Sequence, residues 1–202
     1  MSILKSIIKA IAKPGINSYK GRVGESKVNL VLNSPQLNNS YNKLITNYYL
    51  LDNNGISHQI DHIYIRKNGI FCIETKNYKG VIVSNYKGEW YQVISSNVRY
   101  KLINPIKRNK SHIYHLSKLL DDKYKIHSLI VMVNNNYCNI KMPNVINLKE
   151  LELYLTSFFD GTTLKNEEID YIYKELLKSQ SKITEKQHIE NIKKSKINKY
   201  KD

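Results

Sequence analysis

Residues 57–76 read SHQIDHIYIRKNGIFCIETK, two runs rich in β-branched and aromatic side chains separated by Lys67-Asn68-Gly69. Such runs around a turn signal read as the two strands of a β-hairpin. Alternate side chains of a strand share a face. Gln59 and Asp61 therefore point one way, and Glu74 and Lys76 project together with Ile70 and Cys72 below them. With Asn68-Gly69 as the turn, Lys67 pairs with Ile70, Asp61 lies opposite Lys76, and Glu74 sits on the near diagonal. With a longer loop from Arg66 to Gly69, Asp61 lies directly opposite Glu74. Both registers keep the three polar groups on one face, because an even change of loop length preserves parity. An odd loop sends Asp61 to the other side.

Two carboxylates about 5 to 8 Å apart at Cβ, with an ammonium beside them, suit a hard divalent cation. Mg²⁺ takes carboxylate oxygens, keeps several waters and accepts a phosphate oxygen as a further ligand. It can polarise a phosphodiester and acidify a bound water, while Lys76 orients that water or stabilises charge gathering on phosphorus. The competing reading is a cross-strand ion pair on an exposed face, stabilising by about 0.2–1 kcal/mol. The flanking residues weigh against it. Ile60, Ile63, Ile65, Phe71 and Ile73 make both faces of the hairpin apolar, and charge inside a buried sheet is costly unless it is paired or used.

Outward from the hairpin, Val23, Val28, Val31 and Leu32 give Tyr19–Asn33 a helical apolar face. Glu25 shares that face with Val28 and Leu32, so it should point inward, with a solvated surface glutamate as the alternative. Residues 33–41 read as loop, and strands follow at 43–51, 57–66, 70–76, 80–83 and 89–95. Asn104-Pro105 opens a helix with Ile106, Ile113, Leu116 and Leu120 on one side. A buried-type strand at 128–133 is followed by a helix capped by Asn147 and another at 167–178. This order gives an α/β class with a mixed central sheet flanked by helices. Three segments are expected: an N-terminal amphipathic helix (1–15), a main domain (16–180) and a basic helical or frayed tail (181–202).

The chain has 202 residues and a formal charge of +15, an excess whose usual partners are nucleic acid or anionic membrane. AT-rich coding accounts for the lysines and asparagines but not for the shortage of acids. In residues 1–13, Ile3, Leu4, Ile7, Ile8 and Ile11 form an apolar stripe beside Lys5, Lys9 and Lys13. Those lysines break the apolar centre a signal peptide needs. The stripe fits packing on the domain, on a second copy or on a partner protein, with contact to a membrane surface as the less favoured reading. No run reaches the roughly 18 apolar residues of a membrane span. Cys72 and Cys138 form no disulfide framework and fit a reducing cytoplasm. A phosphate-cradling Gly-x-x-x-x-Gly-Lys loop is absent from the sequence.

Other polar and aromatic residues carry weaker signals. His62 adjoins Asp61 but faces the opposite side, as a core or supporting histidine would. His112 and His115 lie three apart on the second helix, where an ordinary soluble helix face is favoured over a metal site. Trp90, Tyr91 and Tyr100 near Lys101 suit either stacking on unpaired bases or plain core and rim packing.

The run from Gly69 to Gly80, GIFCIETKNYKG, resembles the central motif of the nuclease-related (NERD) domain family. Gln59-Ile60-Asp61-His62-Ile63, Gly21-Arg22-Val23-Gly24-Glu25 and Asn104-Pro105-Ile106 fit the same pattern, which covers roughly Gly21 to Leu120. That family is similar to the PD-(D/E)xK nucleases, related to RecB-type and Holliday-junction-resolvase folds. The resemblance implies a restriction-endonuclease-like core in which Asp61 and Glu74 hold Mg²⁺ or Mn²⁺, Lys76 assists hydrolysis and Glu25 completes the acidic cluster. Arg108 stands where the family often has Gln, and it is a candidate nucleic-acid contact together with Lys79 and Lys107. The function implied is a metal-dependent nuclease, with DNA the favoured substrate, in the cytoplasm, in defence against foreign DNA or in repair. A non-cleaving nucleic-acid-binding module and an adaptor working through residues 1–13 are the alternatives.

Overall fold

The structure, a computed structural model, describes residues 14–134, 136–138, 140 and 142–198. The amphipathic segment at 1–13 and the last four residues of the tail lie outside these, as does the side chain of Cys138. In chain order the elements are α1 (Pro14–Leu32), β1 (Lys43–Leu51), β2 (Ser57–Arg66), β3 (Gly69–Lys76), β4 (Val81–Ser84), β5 (Trp90–Ser95) and β6 (Val98–Leu102). They continue with α2 (Pro105–Leu119), β7 (Ile126–Met132), β8 (Tyr137–Cys138), β9 (Val145–Asn147), a short 3₁₀ turn, α3 (Leu151–Ser157), α4 (Asn166–Ser179) and α5 (Glu185–Asn198).

β2 and β3 form the expected antiparallel hairpin, with Arg66 opposite Gly69 and His62 opposite Ile73. The turn is Lys67-Asn68, one residue earlier than the Asn-Gly pattern suggests. Asn68 is tied down instead by its side-chain amide, which donates to the carbonyls of Leu155 at 2.9 Å and Phe158 at 2.7 Å. Gly69 serves a different need. Its φ is +145°, and a Cβ there would come within 3.1 Å of the His127 ring on β7. The resulting register is the one in which Asp61 and Glu74 occupy opposed positions, so the parity of the site residues is as the sequence implies.

The main sheet has the order β1-β2-β3-β7-β9. β1, β2 and β3 are antiparallel neighbours, while β3, β7 and β9 run parallel. Both faces are covered, which is why β3 reads as an almost unbroken apolar run. On one face Ile63, Ile65, Ile70 and Cys72 pack with Leu116 of α2 and Ile169, Ile172 and Leu176 of α4. On the other, Tyr64, Phe71, Ile73, Leu129 and Val131 pack with Val28 and Leu32 of α1 and with Leu151 and Leu155 of α3. A smaller sheet, β6-β5-β4-β8, joins the edge through Trp90, Ile82, Ile106 and Met132. Trp90 is therefore core, while Tyr91 lies under the Arg99 guanidinium at 3.6 Å and Tyr100 is exposed.

Several boundaries differ from the sequence reading, each for a local reason. Pro14 and Gly15 are helical and belong to α1, whereas the sequence reading placed them at the end of a separate N-terminal helix over 1–15. β6 was not anticipated, since four of its five residues are exposed and show no alternation. Asn147 does cap the next turn, in a capping box completed by Glu150. The tail is helical over α5 and docks on the first hairpin: His188 is buried, its Nδ1 lies 2.8 Å from Ser57 Oγ, and Asn191 Oδ1 accepts the Ser57 N–H. Among the described residues no helix is long and apolar enough to cross a membrane.

Candidate active site

The main sheet opens at Asp61. Ladder pairing between β2 and β3 stops at His62–Ile73. On the other side the β1–β2 register passes from Thr46–His62 to Tyr48–Ile60, skipping Asn47, which adopts a left-handed conformation with φ +52°. Asparagine tolerates that region better than other side-chain-bearing residues. Freed from regular pairing, Asp61 uses its own Oδ2 to accept the Thr75 N–H at 2.7 Å. One carboxylate oxygen thus replaces a backbone partner and fixes the side chain beside Glu74.

Glu74 is almost fully buried, with 1% of its side chain exposed. Its Oε1 meets Lys76 Nζ, and Arg108 Nη1 reaches the same oxygen from α2 at 3.5 Å. Its Oε2 has no hydrogen-bond partner among the described residues, and neither does His112 Nδ1, which faces it at 3.7 Å. A buried carboxylate oxygen without a donor carries a full desolvation penalty. It marks a place for a further positive or hydrogen-bonding species.

Glu25 arrives from the opposite side of the sheet. α1 passes so close to the end of β3 that a Cβ on Gly24 would sit 2.9 Å from the Asn77 Cβ, and Asn77 Nδ2 donates to the Lys20 carbonyl at 2.9 Å. Only glycine permits that approach. It places Glu25 in a cleft of about 220 Å³ lined also by Asp61, His62, Arg22, Asn47 and Ser26. His62 lines the cleft as well and is buried.

The electrostatics follow from burial and crowding. Burial and then the Glu74 charge push the Asp61 carboxyl up to about 7. Burial also raises Glu74, but Lys76, Arg108 and His112 outweigh it and hold that carboxyl below its usual range. Burial opposes charge on Lys76, yet Glu74, Tyr78 and Asp61 prevail and raise it, so Lys76 is an ammonium. Glu25 is raised, chiefly by burial, with Lys76 pulling it down and Glu74 pushing it up. Burial lowers both His62 and His112 to about 4, leaving each neutral.

Asp61, Glu74, Lys76 and Glu25 therefore come together as the sequence suggested, with Arg108 at their rim. Lys79 and Lys107 are exposed and form no ion pair among the described residues. Sequence reasoning left His112 on a soluble helix face, whereas the structure buries it against Glu74. The missed signal is helical spacing: His112 shares a face with Asn109 and Leu116, both buried. Asn109 bridges α2 to β3, its amide donating to the Cys72 carbonyl at 2.8 Å.

A mixed sheet covered by helices, with an acid, an acid and a lysine on its central hairpin, defines a nuclease-like α/β protein of the PD-(D/E)xK kind. More narrowly, the chain belongs to the nuclease-related domain (NERD) family, whose sequence model matches residues 20–133. An uncharacterized protein of Bacillus anthracis is 27% identical over 191 residues, covering 90% of this chain and 88% of that protein. No solved structure matches.

Proposed function

We propose that the chain is a divalent-metal-dependent nuclease that hydrolyses phosphodiester bonds, with DNA as substrate. The observation that carries this reading is the pair of buried, mutually repelling carboxylates, Asp61 and Glu74, with Glu74 Oε2 lacking a donor among the described residues. Hard oxygen donors in that state fit Mg²⁺ or Mn²⁺, with Asp61 and Glu74 as the ligands and Glu25 at the margin. When bound there, such an ion supplies Lewis acidity to the scissile phosphate and lowers the pKa of a water.

The protein's own groups define the rest. Asp61 is held by the Thr75 N–H, so its free oxygen is presented without rotamer search. Lys76 is charged, so its role is that of a cation: it orients the attacking water and stabilises negative charge on phosphorus rather than removing a proton. Arg108, anchored on Glu74 and about 40% exposed, spans from the acids to solvent and is placed to grip a phosphate oxygen. Lys79 and Lys107 extend that positive rim toward the backbone, and the charge of +15 draws a polyanion to it.

The test uses purified full-length protein with plasmid and linear DNA, and with RNA, in Mg²⁺ or Mn²⁺. Cleavage of DNA that stops in chelator, in Glu74→Gln and in Lys76→Ala, with the fold intact by circular dichroism, supports the reading. Full activity in either variant overturns it. One observation favours a second reading: Lys76 and Arg108 both close on Glu74, so the site partly neutralises itself. A non-cleaving module predicts salt-sensitive DNA binding and no product at any metal concentration. Defence against foreign DNA and repair are the roles such an activity suits.

A further inference from the structure

We infer that the chain holds a second, distinct metal site, formed by Asp52, His58 and His115, for a divalent transition-metal ion such as Zn²⁺. The potential ligand atoms of these three side chains all lie within 4.8 Å of one another. The His58 Nε2 is 3.4 Å from Asp52 Oδ2, and the His58 and His115 rings lie 4.2 Å apart. Three elements contribute: Asp52 from the β1–β2 turn, His58 from β2 and His115 from α2.

The turn presents its ligand ready-made. Asp52 Oδ1 accepts the N–H groups of Asn54 at 2.9 Å and Ile56 at 2.8 Å. The turn is closed by the backbone bonds Asp52 N to Ile56 O and Gly55 N to Asp52 O, each 2.9 Å. With one oxygen committed to the backbone, the other is aimed at the histidines. A carboxylate so supported behaves as metal ligands do when second partners fix their orientation. Both Asp52 and His58 are mostly sheltered, with 12% and 17% of their side chains exposed.

The donor set decides the cation. Two imidazoles and one carboxylate suit Zn²⁺ and its first-row neighbours, whereas Mg²⁺ prefers oxygen alone. Bonds of about 2.0–2.2 Å to such an ion draw the three ligands closer by side-chain torsion and leave a fourth position for water. The ion joins the β1–β2 hairpin to α2. The His58 ring also stands 6.1 Å from that of His112, so the site lies directly behind the residue that faces Glu74. A bound cation therefore steadies the helix that carries Arg108 and His112.

The site is independent of the nuclease reading and is tested without activity. Chelator-stripped full-length protein, held in excess Mg²⁺, is titrated with Zn²⁺ by calorimetry and with Co²⁺ by visible absorption. The expected result is one equivalent bound, a d–d band with Co²⁺, and at least tenfold weaker binding in His115→Ala and in Asp52→Asn. Asp52→Asn keeps an oxygen acceptor for the turn, so it guards against simple misfolding. The double variant Asp61→Asn/Glu74→Gln is expected to bind Zn²⁺ normally. No Zn²⁺ binding above Mg²⁺ overturns the site. So does binding that survives in His115→Ala but vanishes in the double variant, which places the ion at the nuclease centre.

Discussion

At Asp61 the whole case reduces to where one proton resides. Burial and the neighbouring Glu74 charge hold that carboxyl at about 7, against an ordinary value of 3.8. A group raised on folding favours the fold fully below its unfolded value, and the contribution is lost as pH climbs through the folded one. The metal-free protein should therefore lose stability from this group between about pH 4 and 7. A divalent cation replaces the proton, so below pH 7 its affinity should fall by up to about tenfold per unit. Thermal shifts with Mn²⁺ at pH 5.5 and pH 8 measure this, and the larger gain is expected at pH 8. In Glu74→Gln the repelling charge is gone while the burial remains, and the Asp61 carboxyl should titrate lower than in the wild type when followed by carbon-13 NMR in metal-free protein. An unchanged Asp61 titration there would show that the two acids are not coupled. His62 acts with the opposite sign. Burial lowers it to about 4 from 6.5, so its contribution is present above pH 6.5 and disappears as pH falls toward 4. In metal-free protein the two contributions therefore oppose each other over the same window, about pH 4 to 7, one lost as pH rises and the other as it falls.

Among the elements, the approach of α1 to the end of β3 is the tightest joint near the site. Gly24→Ala puts a Cβ 2.9 Å from the Asn77 Cβ, and neither partner can yield without moving backbone. Overpacking of that kind costs about 1–3 kcal/mol, and the shift carries Glu25 away from Asp61. A lowered melting temperature together with weakened cleavage is expected, while Gly55→Ala, in open space though also at positive φ, should leave cleavage unchanged. Equal activity in wild type and Gly24→Ala would detach Glu25 from the site. This joint also shows what the sequence could and could not disclose. The parity of a hairpin is written in alternation, so Asp61, Glu74 and Lys76 were legible even though the turn sits one residue from its Asn-Gly signal. Glu25 was legible because Val28 and Leu32 share its face. His112 was not, since a histidine on a lysine-rich helix reads as solvated until Glu74 is known to lie beneath it. The cluster of Asp52, His58 and His115 was equally hidden, because its members come from three elements whose meeting depends on tertiary packing. The helical character of the tail was legible, but the docking of α5 was not: its apolar spacing is irregular, and it docks through polar contacts of His188 and Asn191 with Ser57.

Over the molecule as a whole, charge and docking converge on that last helix. Residues 181–202 hold seven lysines and three acids, a net of +4 within the overall +15. Docking turns one side of α5 toward the β1–β2 hairpin and leaves Lys186, Lys193 and Lys194 exposed. An Arg22–Glu185 ion pair at 3.7 Å sets the start of the helix beside α1, where Arg22 also lines the cleft that holds Glu25. A lysine row fixed there can follow a nucleic-acid backbone, whereas a frayed tail would contribute only diffuse attraction. The two cases differ in their response to salt. Each phosphate contact adds about 0.9 to the slope of log K against log salt on duplex DNA. Replacing the three lysines with alanine should flatten the slope by as much as about 2.7 if all three meet phosphates, with the melting temperature nearly unchanged because none is buried. Weaker binding with an unaltered slope would mean that the loss comes from elsewhere, and that α5 serves only to brace the hairpin.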